Sequence, residues 1–395
     1  MYHLQNVEKK KYDDFVSNHK ESHYLQSLSW GELISTQKEY TPHYIGLTND
    51  NNEIVAAALL LEKETILNHS YFYCPRGFVI DYKKDNLVKV MTKMTLEYIK
   101  KNKGIFLRIN PNIINKTNNK EESNTEKILN TLKESKYKHI DLEKYKYTEP
   151  NNSLKIDLTK DIEDIEKEYL IPTKEKIKKA LELDEIVEIG RDKDIDELYN
   201  LAKSNDNLKY EKDYYKELFK IFNKNKNTSA ILFLGKIYFD KTIKKLETKL
   251  KKINNQISIL PIDHLSKTSK EKLEELKKEK DHTKAEIKKY TENKEKYNKS
   301  LTLSAQLIIT YKDKAWVLFE ENEKVLNEIN PNYLTYDTII RYCKDNGIKT
   351  LYRNMETNNN MGEEYIEYIG EYINIINYPI SFIHSIYKRK QEKED

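Results

Sequence analysis

The stretch KNKGIFLRINP (residues 101–111) has a counterpart much later in the chain, KDNGIKTLYRN (residues 344–354). Each begins with polar residues typical of a helix end, continues with glycine and isoleucine, and then becomes an apolar strand. Gly104 and Gly347 stand where a helix typically ends, because glycine adopts the left-handed backbone conformation that closes a helix without strain. The two stretches predict two tandem α/β units of related order.

The residues before each glycine have the same predicted order in both halves. Two strands are followed by a third strand and then by an amphipathic helix that stops at the glycine. The predicted elements are strands at His43–Leu47, 53–64 and Ser70–Ile80 and a helix over Leu87–Tyr98, then strands at Ser229–Leu234, 301–311 and 315–321 and a helix over Asn332–Asn346. We place the first unit at residues 1–150 and the second at residues 151–240 and 300–395.

Residues 241–299 interrupt the second unit where the first has a five-residue turn. Apolar residues recur here at the alternating spacing of four and three that forms a coiled-coil seam, namely Leu246, Leu250, Ile253, Ile257 and Leu260. A turn at Pro261 and Asp263 leads into a second seam that begins at Leu273. The segment predicts an antiparallel helical arm roughly 30–45 Å long at about 1.5 Å per residue.

The predicted arm carries more positive charge than the whole chain. Residues 241–299 contain 18 lysines and 10 acidic residues, a net charge of +8, whereas the full chain has +4. Two interpretations remain open. The arm is either a solvated coiled coil with lysine-rich flanks or a contact for a polyanion, such as RNA or an anionic membrane surface.

The composition argues against several classes of protein. Cys74 and Cys343 are the only cysteines, so a disulfide framework is impossible and a reducing compartment is expected. No run of 18 apolar residues occurs, which predicts a cytoplasmic protein whose membrane contact is peripheral. The nine glycines are too widely spaced for a Rossmann fingerprint, a P-loop or a Gly-rich turn that holds coenzyme A. No histidine pair has metal-ligand spacing, so we expect neither cofactor nor metal.

Short motifs over most of the chain match a pattern shared by one protein family. HYLQSLSW (residues 23–30) resembles the family's opening Gln-Ser-x-x-Trp, and Tyr214-Tyr215 stands in place of its paired tyrosines. YCPRGFVID (residues 73–81) resembles Tyr-x-Pro-Arg-Gly-Pro-x-x-Asp and is the most specific match. IGEYI (residues 369–373) resembles the closing Gly-x-Phe segment, which Pro379 and Tyr387 follow. By these segments the chain resembles the Fem family of aminoacyltransferases.

The resemblance implies two tandem GNAT-like acyltransferase domains with an antiparallel coiled-coil hairpin inserted in the second. It implies transfer of an amino acid from aminoacyl-tRNA to the stem peptide of a peptidoglycan precursor, either lipid II or UDP-MurNAc-pentapeptide. The tRNA ester is already activated, so the resemblance implies no cofactor. The implied partners are the tRNA, the precursor, the inner membrane face and a homologous enzyme.

Some positions depart from the family's pattern. Asn110 stands before proline where the family usually has aspartate, and Tyr352-Arg-Asn-Met stands where it has Tyr-Asp-x-x-Gly. Residues 361–369 lack the Phe-Lys pair implicated in handling the aminoacyl end of the tRNA, and residues 205–213 lack a Thr-x-x-Arg segment. One alternative is therefore a relative that binds a precursor or partner enzyme without catalysis. Another is an acyltransferase with a different donor, which the missing Gly-rich turn disfavours.

No pattern singles out a catalytic nucleophile, and attack of an amine on an activated ester can depend on positioning alone. Six residues are candidates for substrate binding: Trp30, Arg76, Asn110, Lys212, Tyr215 and Tyr352. Arg76 would hold a phosphate or carboxylate and Lys212 a diphosphate. Asn110 would orient an amide. Trp30 and Tyr352 would line the site.

Each of these functional roles has a structural alternative. Arg76 could cap a turn or pair with Asp81. Lys212 could lie on a solvated helix face. Trp30 and Tyr352 could serve only in packing.

Overall fold

The computed structural model describes residues 1–65, 69–140, 150–260, 267–326, 330–353 and 360–376. The predicted turn at Pro261 and Asp263, together with Pro379 and Tyr387, lies outside these residues. The helices are α1 (Lys9–Asn18), α2 (Leu28–Thr36), α3 (Asp85–Lys101), α4 (Thr125–Glu134), α5 (Ile162–Glu168), α6 (Ile171–Glu182), α7 (Ile195–Ser204), α8 (Lys212–Lys224), α9 (Phe239–Ile259), α10 (Lys267–Tyr297) and α11 (Asn332–Asp345).

The strands form two mixed sheets. In chain order they are β1 (His3–Asn6), β2 (Thr41–Thr48), β3 (Ile54–Glu64), β4 (Ser70–Cys74), β5 (Gly104–Ile109), β6 (Ile114–Thr117), β7 (Lys120–Glu121), β8 (Lys138–His139), β9 (Asn152–Asp157), β10 (Ile186–Gly190), β11 (Thr228–Tyr238), β12 (Ser300–Tyr311), β13 (Lys314–Asn322), β14 (Thr350–Arg353), β15 (Glu364–Tyr368) and β16 (Tyr372–Ile375). The described strands of the first sheet are ordered β1-β2-β3-β4-β5-β16-β8, and those of the second β10-β11-β12-β13-β14-β9-β15-β6-β7.

The two sheets contain the same unit. In the first, β2, β3 and β4 are antiparallel neighbours, α3 follows, and β5 pairs parallel with β4. In the second, β11, β12 and β13 are antiparallel neighbours, α11 follows, and β14 pairs parallel with β13. This order confirms the predicted fold class, two tandem GNAT-like α/β units with a helical hairpin inserted in the second.

Short strands cross between the two units. In β16, near the end of the second unit, Ile373 pairs with Arg108 of β5 in the first sheet. In β6, which lies before residue 150, Thr117 pairs with Ile366 of β15 in the second sheet. Each sheet thus contains a short strand from the other side of residue 150. The division of the chain at that residue stays a prediction.

A common apolar core joins the units. The inner face of α8 presents buried residues to it (Tyr214, Tyr215, Leu218, Ile221 and Phe222). From the first unit, Tyr12 and Leu33 belong to the same cluster. Ser29 of α2 also lies 2.6 Å from the hydroxyl of Thr228 in β11. This shared burial fixes how the ends of the strands in the two sheets face each other.

The inserted arm consists of α9 and α10 packed antiparallel. The predicted seam is confirmed, because Leu246 and Ile253 of α9 are buried, as are Leu276 and Tyr290 of α10. α9 begins at Phe239, slightly before the predicted start, and its 21 residues span about 32 Å. None of the helices in the described ranges combines the length and apolarity needed to cross a membrane.

Candidate active site

A cavity of about 310 Å³ lies where β13 and β14 separate. The two strands pair only from Lys314 to Trp316 and from Thr350 to Tyr352. Beyond that point Val317–Phe319 no longer pair with β14, and these residues line the cavity. The opposite wall comes from the first unit, so the site depends on both halves of the chain.

Arg76 enters the cavity from a tight turn. The predicted strand Ser70–Ile80 ends at Cys74, because Gly77 N donates to Cys74 O at 3.1 Å. Arg76 occupies the third position of this turn at φ +55°, a conformation that costs roughly 1–3 kcal/mol for a residue with a side chain. Gly77 follows at φ +67°, and an added Cβ would lie 2.7 Å from the Cα of Pro111. The turn therefore fixes the backbone conformation from which the Arg76 side chain enters the cavity.

Gln26 fixes this turn to the first unit. Its Nε2 donates to Pro75 O at 2.5 Å, and its Oε1 accepts from Leu59 N at 2.7 Å. The hydroxyl of Tyr12 donates to Gln26 O at 2.9 Å. Gln26 is fully buried. Gln26, the glutamine of the opening motif, thus positions Arg76 by holding the carbonyl of Pro75, the residue before it in the turn.

The Arg76 guanidinium is buried without an acidic partner among the described residues. Nη1 donates to Asn110 Oδ1 at 3.4 Å and Nη2 to Pro150 O at 3.1 Å, and the group lies 4.2 Å from the Tyr368 ring centroid. The alternative pairing with Asp81 is wrong, because Asp81 accepts from Lys20 at 2.8 Å. Asn110 contacts the Arg76 guanidinium but is not one of the residues that line the cavity.

His23 is a cavity residue that sequence reasoning missed. Leu25 N donates to its Nδ1 at 3.1 Å, so the neutral ring carries its proton on Nε2. Burial, with Arg76 and Lys314 nearby, lowers the pKa of His23 well below its usual value. The ring packs 4.7 Å from that of Trp316. His23 is therefore a neutral hydrogen-bond donor at the wall of the cavity.

Aromatic rings form much of the remaining wall. Tyr352 stacks on Trp316 with ring centroids 5.5 Å apart, and both line the cavity. Trp30 also lines it, with its ring edge-on to Tyr24. The indole nitrogen of Trp30 is buried and has no hydrogen-bond partner within the described chain. Trp30 and Tyr352 thus line the cavity, and their roles in substrate binding stay predictions.

Two other predicted residues lie outside the cavity. Lys212 forms an ion pair with Asp196 at 2.7 Å, and Tyr215 packs behind Phe319 at 4.8 Å between ring centroids. Their places in the lining are taken by nearby residues, Lys209 and Tyr214. Lys212 and Tyr215 therefore do not line the cavity, and their roles in substrate binding stay predictions.

No aspartate or glutamate from the described residues lines the cavity. Its cations are Arg76, Lys209 and Arg353. Arg353 is balanced by buried Glu320, which accepts from its Nε at 3.0 Å. The site is therefore positively charged, and Arg76 is its buried cation without a counter-charge.

Known proteins resemble this chain in sequence and in fold. The model of the FemAB family matches residues 7–355. The aminoacyltransferase FemA of Staphylococcus aureus strain MW2 is 34% identical over 106 residues, covering 27% of this chain. The chain thus spans about a quarter, 25%, of the length of that relative. The crystal structure of FemX superposes with a TM-score of 0.77 at 18% identity, covering 96% of this chain and 99% of FemX.

Proposed function

Because the chain belongs to the FemAB family, we propose that it transfers an amino acid from aminoacyl-tRNA to the stem peptide of a peptidoglycan precursor. The observation that carries this proposal is the cavity at the separated strands β13 and β14. It offers a positively charged, aromatic-walled space between the two units, with hydrogen-bond donors and no acidic lining residue from the described chain. Such a space suits an anionic acceptor better than a cationic one.

The reaction requires little from protein side chains beyond positioning. The acceptor amine, in its neutral form, forms a bond to the ester carbonyl carbon, the bond from that carbon to the ribose oxygen breaks, and the proton that the nitrogen loses ends on the departing oxygen. Both cysteines are buried, and burial raises the pKa of Cys343 to about 12, so neither supplies a thiolate. Direct attack by the bound amine is therefore the route that these residues support, with acceleration from orientation and exclusion of water.

The arm is the proposed contact for tRNA. Its lysines flank a buried seam and are mostly exposed, so they are available to phosphates. Its base packs into the second unit, where Phe239 and Leu246 contact the cluster that contains Leu303. A rigidly anchored basic arm can hold the tRNA while the aminoacyl ester end of the tRNA reaches the two α/β units. Peripheral contact with the inner membrane face and a homologous partner enzyme remain parts of the same proposal.

The decisive experiment is transfer from charged tRNA. The purified chain is incubated with a mixture of radiolabelled aminoacyl-tRNAs and either lipid II or UDP-MurNAc-pentapeptide. We expect one labelled product, whose mass identifies both the amino acid and the acceptor form. Arg191→Met, which changes an exposed arginine outside the cavity lining, should give the same product. No product with any amino acid on either acceptor would refute the proposed reaction.

Asn110 favours a second candidate function. Its amide bridges Arg76 and the buried carboxylate of Glu371, with 3.4 Å on each side, and an amide cannot accept a proton as a base. A protein that binds the precursor or a partner enzyme without turnover fits this observation. Precursor binding measured by calorimetry, combined with absence of labelled product, would favour that function over the first.

A further inference from the structure

Two buried N–H donors of the cavity, and a third that is open to the cavity, lack acceptors among the described residues. The Nε of Arg76 and the Nε1 of Trp30 are buried, and no described residue accepts a hydrogen bond from either. The Nε2 of His23 carries the ring proton, because Nδ1 accepts from Leu25 N, and no described residue is bonded to Nε2. Arg76 and His23 are 6% and 4% exposed. Buried donors are costly when unpaired, which indicates that a ligand supplies the acceptors.

The charge of the cavity limits the ligand's charge. Arg353 is neutralised by Glu320, and Lys209 is exposed to solvent. Arg76 remains as one buried positive charge whose described partners, Asn110 and Pro150 O, are both neutral. A buried charge is stable only when it is paired. A group with a single negative charge would balance the site.

The geometry favours a carboxylate over a phosphate. Both terminal nitrogens of Arg76 already donate within the protein, so part of the two-pronged contact that arginine makes with carboxylates and phosphates alike is used. What remains is one edge of the guanidinium together with two ring N–H groups from His23 and Trp30. A planar carboxylate has two oxygens and one charge, and both match this set of donors.

We propose that His23, Trp30 and Arg76 form a binding site for one carboxylate group of the acceptor peptide. This inference rests on the proposed function, because it assumes that the cavity receives the acceptor. The carboxylate is either the C-terminal one of the stem peptide or an α-carboxylate within it. Anchoring it beside the separated strands would orient the acceptor amine toward the tRNA ester.

The cavity contains its own optical probe. Trp30 and Trp316 are the only tryptophans of the chain, and both line the cavity. The intact chain is titrated with a synthetic stem pentapeptide, with its C-terminal amide, and with the peptide amidated at its internal α-carboxylate. We expect the free peptide to change the fluorescence and one amide to bind about tenfold more weakly, which identifies the anchored carboxylate. Equal affinity of all three peptides would overturn the proposal.

Substitutions test the residues separately. Arg76→Met should remove the discrimination, so that the peptide and its amide bind alike, whereas Arg191→Met should preserve it. His23→Gln retains an N–H donor and should bind within a few-fold of the natural chain, whereas His23→Leu should bind about tenfold more weakly. Discrimination that persists undiminished in Arg76→Met would overturn the site.

Asn110→Asp provides a test that does not remove the arginine. It places a carboxylate next to the guanidinium, where the amide oxygen now lies at 3.4 Å. The carboxylate introduced at position 110 should then compete with the ligand for Arg76. The free peptide should bind about tenfold more weakly, and the affinity of the amide should change far less. Unchanged affinity in a variant with native circular dichroism would contradict the proposal.

Transfer assays with the same peptides separate this inference from the proposed function. If the free peptide and both amides accept an amino acid with equal KM, the function stands and the carboxylate site is wrong. If the carboxylate discrimination is present but no charged tRNA yields product, the site stands and the function is wrong.

Discussion

Glu185 offers a quantitative test of the structure, because it is a buried carboxyl group for which the described part of the chain provides no partner. It lies just before β10, is 3% exposed, and neither of its oxygens has a hydrogen-bond partner among the described residues. Gly235 leaves the space that the carboxyl occupies, since an added Cβ would lie 2.6 Å from Glu185 Oε1. Burial raises the pKa of Glu185 from 4.5 to about 8. The protonated form is therefore the stable one in the folded chain at neutral pH.

The raised pKa predicts how stability depends on pH. Well below pH 4.5 the carboxyl is protonated in both states and makes no contribution to the pH dependence of stability. As pH rises from 4.5 toward 8, the unfolded chain ionises while the folded chain keeps its proton, so the free energy of unfolding falls, and it levels off above pH 8. One pKa unit corresponds to about 1.4 kcal/mol, so the loss between pH 6 and pH 8 is about 2 kcal/mol.

Glu185→Gln removes this titration while keeping the shape of the side chain. The assay is urea unfolding of the natural chain and the variant at several values between pH 5 and pH 9. Between pH 6 and pH 8 we expect the free energy of unfolding of the natural chain to fall by about 2 kcal/mol relative to that of the variant. Glu182→Gln, at an exposed position of α6, should give a flat difference. A flat difference for Glu185→Gln as well would show that its carboxyl is solvated or paired.

Three further perturbations test the packing and the arm. Arg353→Met leaves the buried carboxylate of Glu320 without its main partner and should cost about 3 kcal/mol in unfolding free energy, measured by urea titration. Gly235→Ala forces a Cβ against Glu185 and should cost about 1–3 kcal/mol or more in the same assay. Replacing residues 250–278 by a short turn keeps the base of the arm, so the chain should keep its melting temperature within a few degrees but bind tRNA several-fold more weakly in a filter assay. Unchanged affinity would leave the arm a structural role only.

The order of elements was predictable because local signals were strong. Alternating and continuous apolar runs, together with Gly104 and Gly347 at helix ends, identified both units. The crossing of β16 and β6 between sheets was not predictable, since strands of four residues such as Tyr372–Ile375 contain no information about which edge they join. Their partners, such as Arg108 in β5, are hundreds of residues away along the chain.

The site was predictable only where a motif marked it. Arg76 and Trp30 were found through motifs, and both line the cavity. His23 was read only as the first residue of one of those motifs, because its burial depends on contact with Trp316, which is far away in sequence. Trp316 itself resembled an ordinary residue of an apolar strand. Lys212 is a predicted substrate-binding residue that pairs instead with Asp196, and this ion pair cannot be inferred from sequence.

The two positively charged parts of the molecule should respond differently to salt. The arm's excess charge lies on exposed lysines, whereas Arg76 is buried and shielded from ions. Exposed charges are screened over about 10 Å at 0.1 M salt, and contacts with several phosphates lose affinity steeply as salt rises. Between 50 mM and 500 mM salt we therefore expect tRNA binding to weaken by at least about tenfold and binding of the stem peptide to change by only a few-fold. Equal salt dependence for both ligands would mean that one surface binds both, which would contradict the separation of arm and cavity.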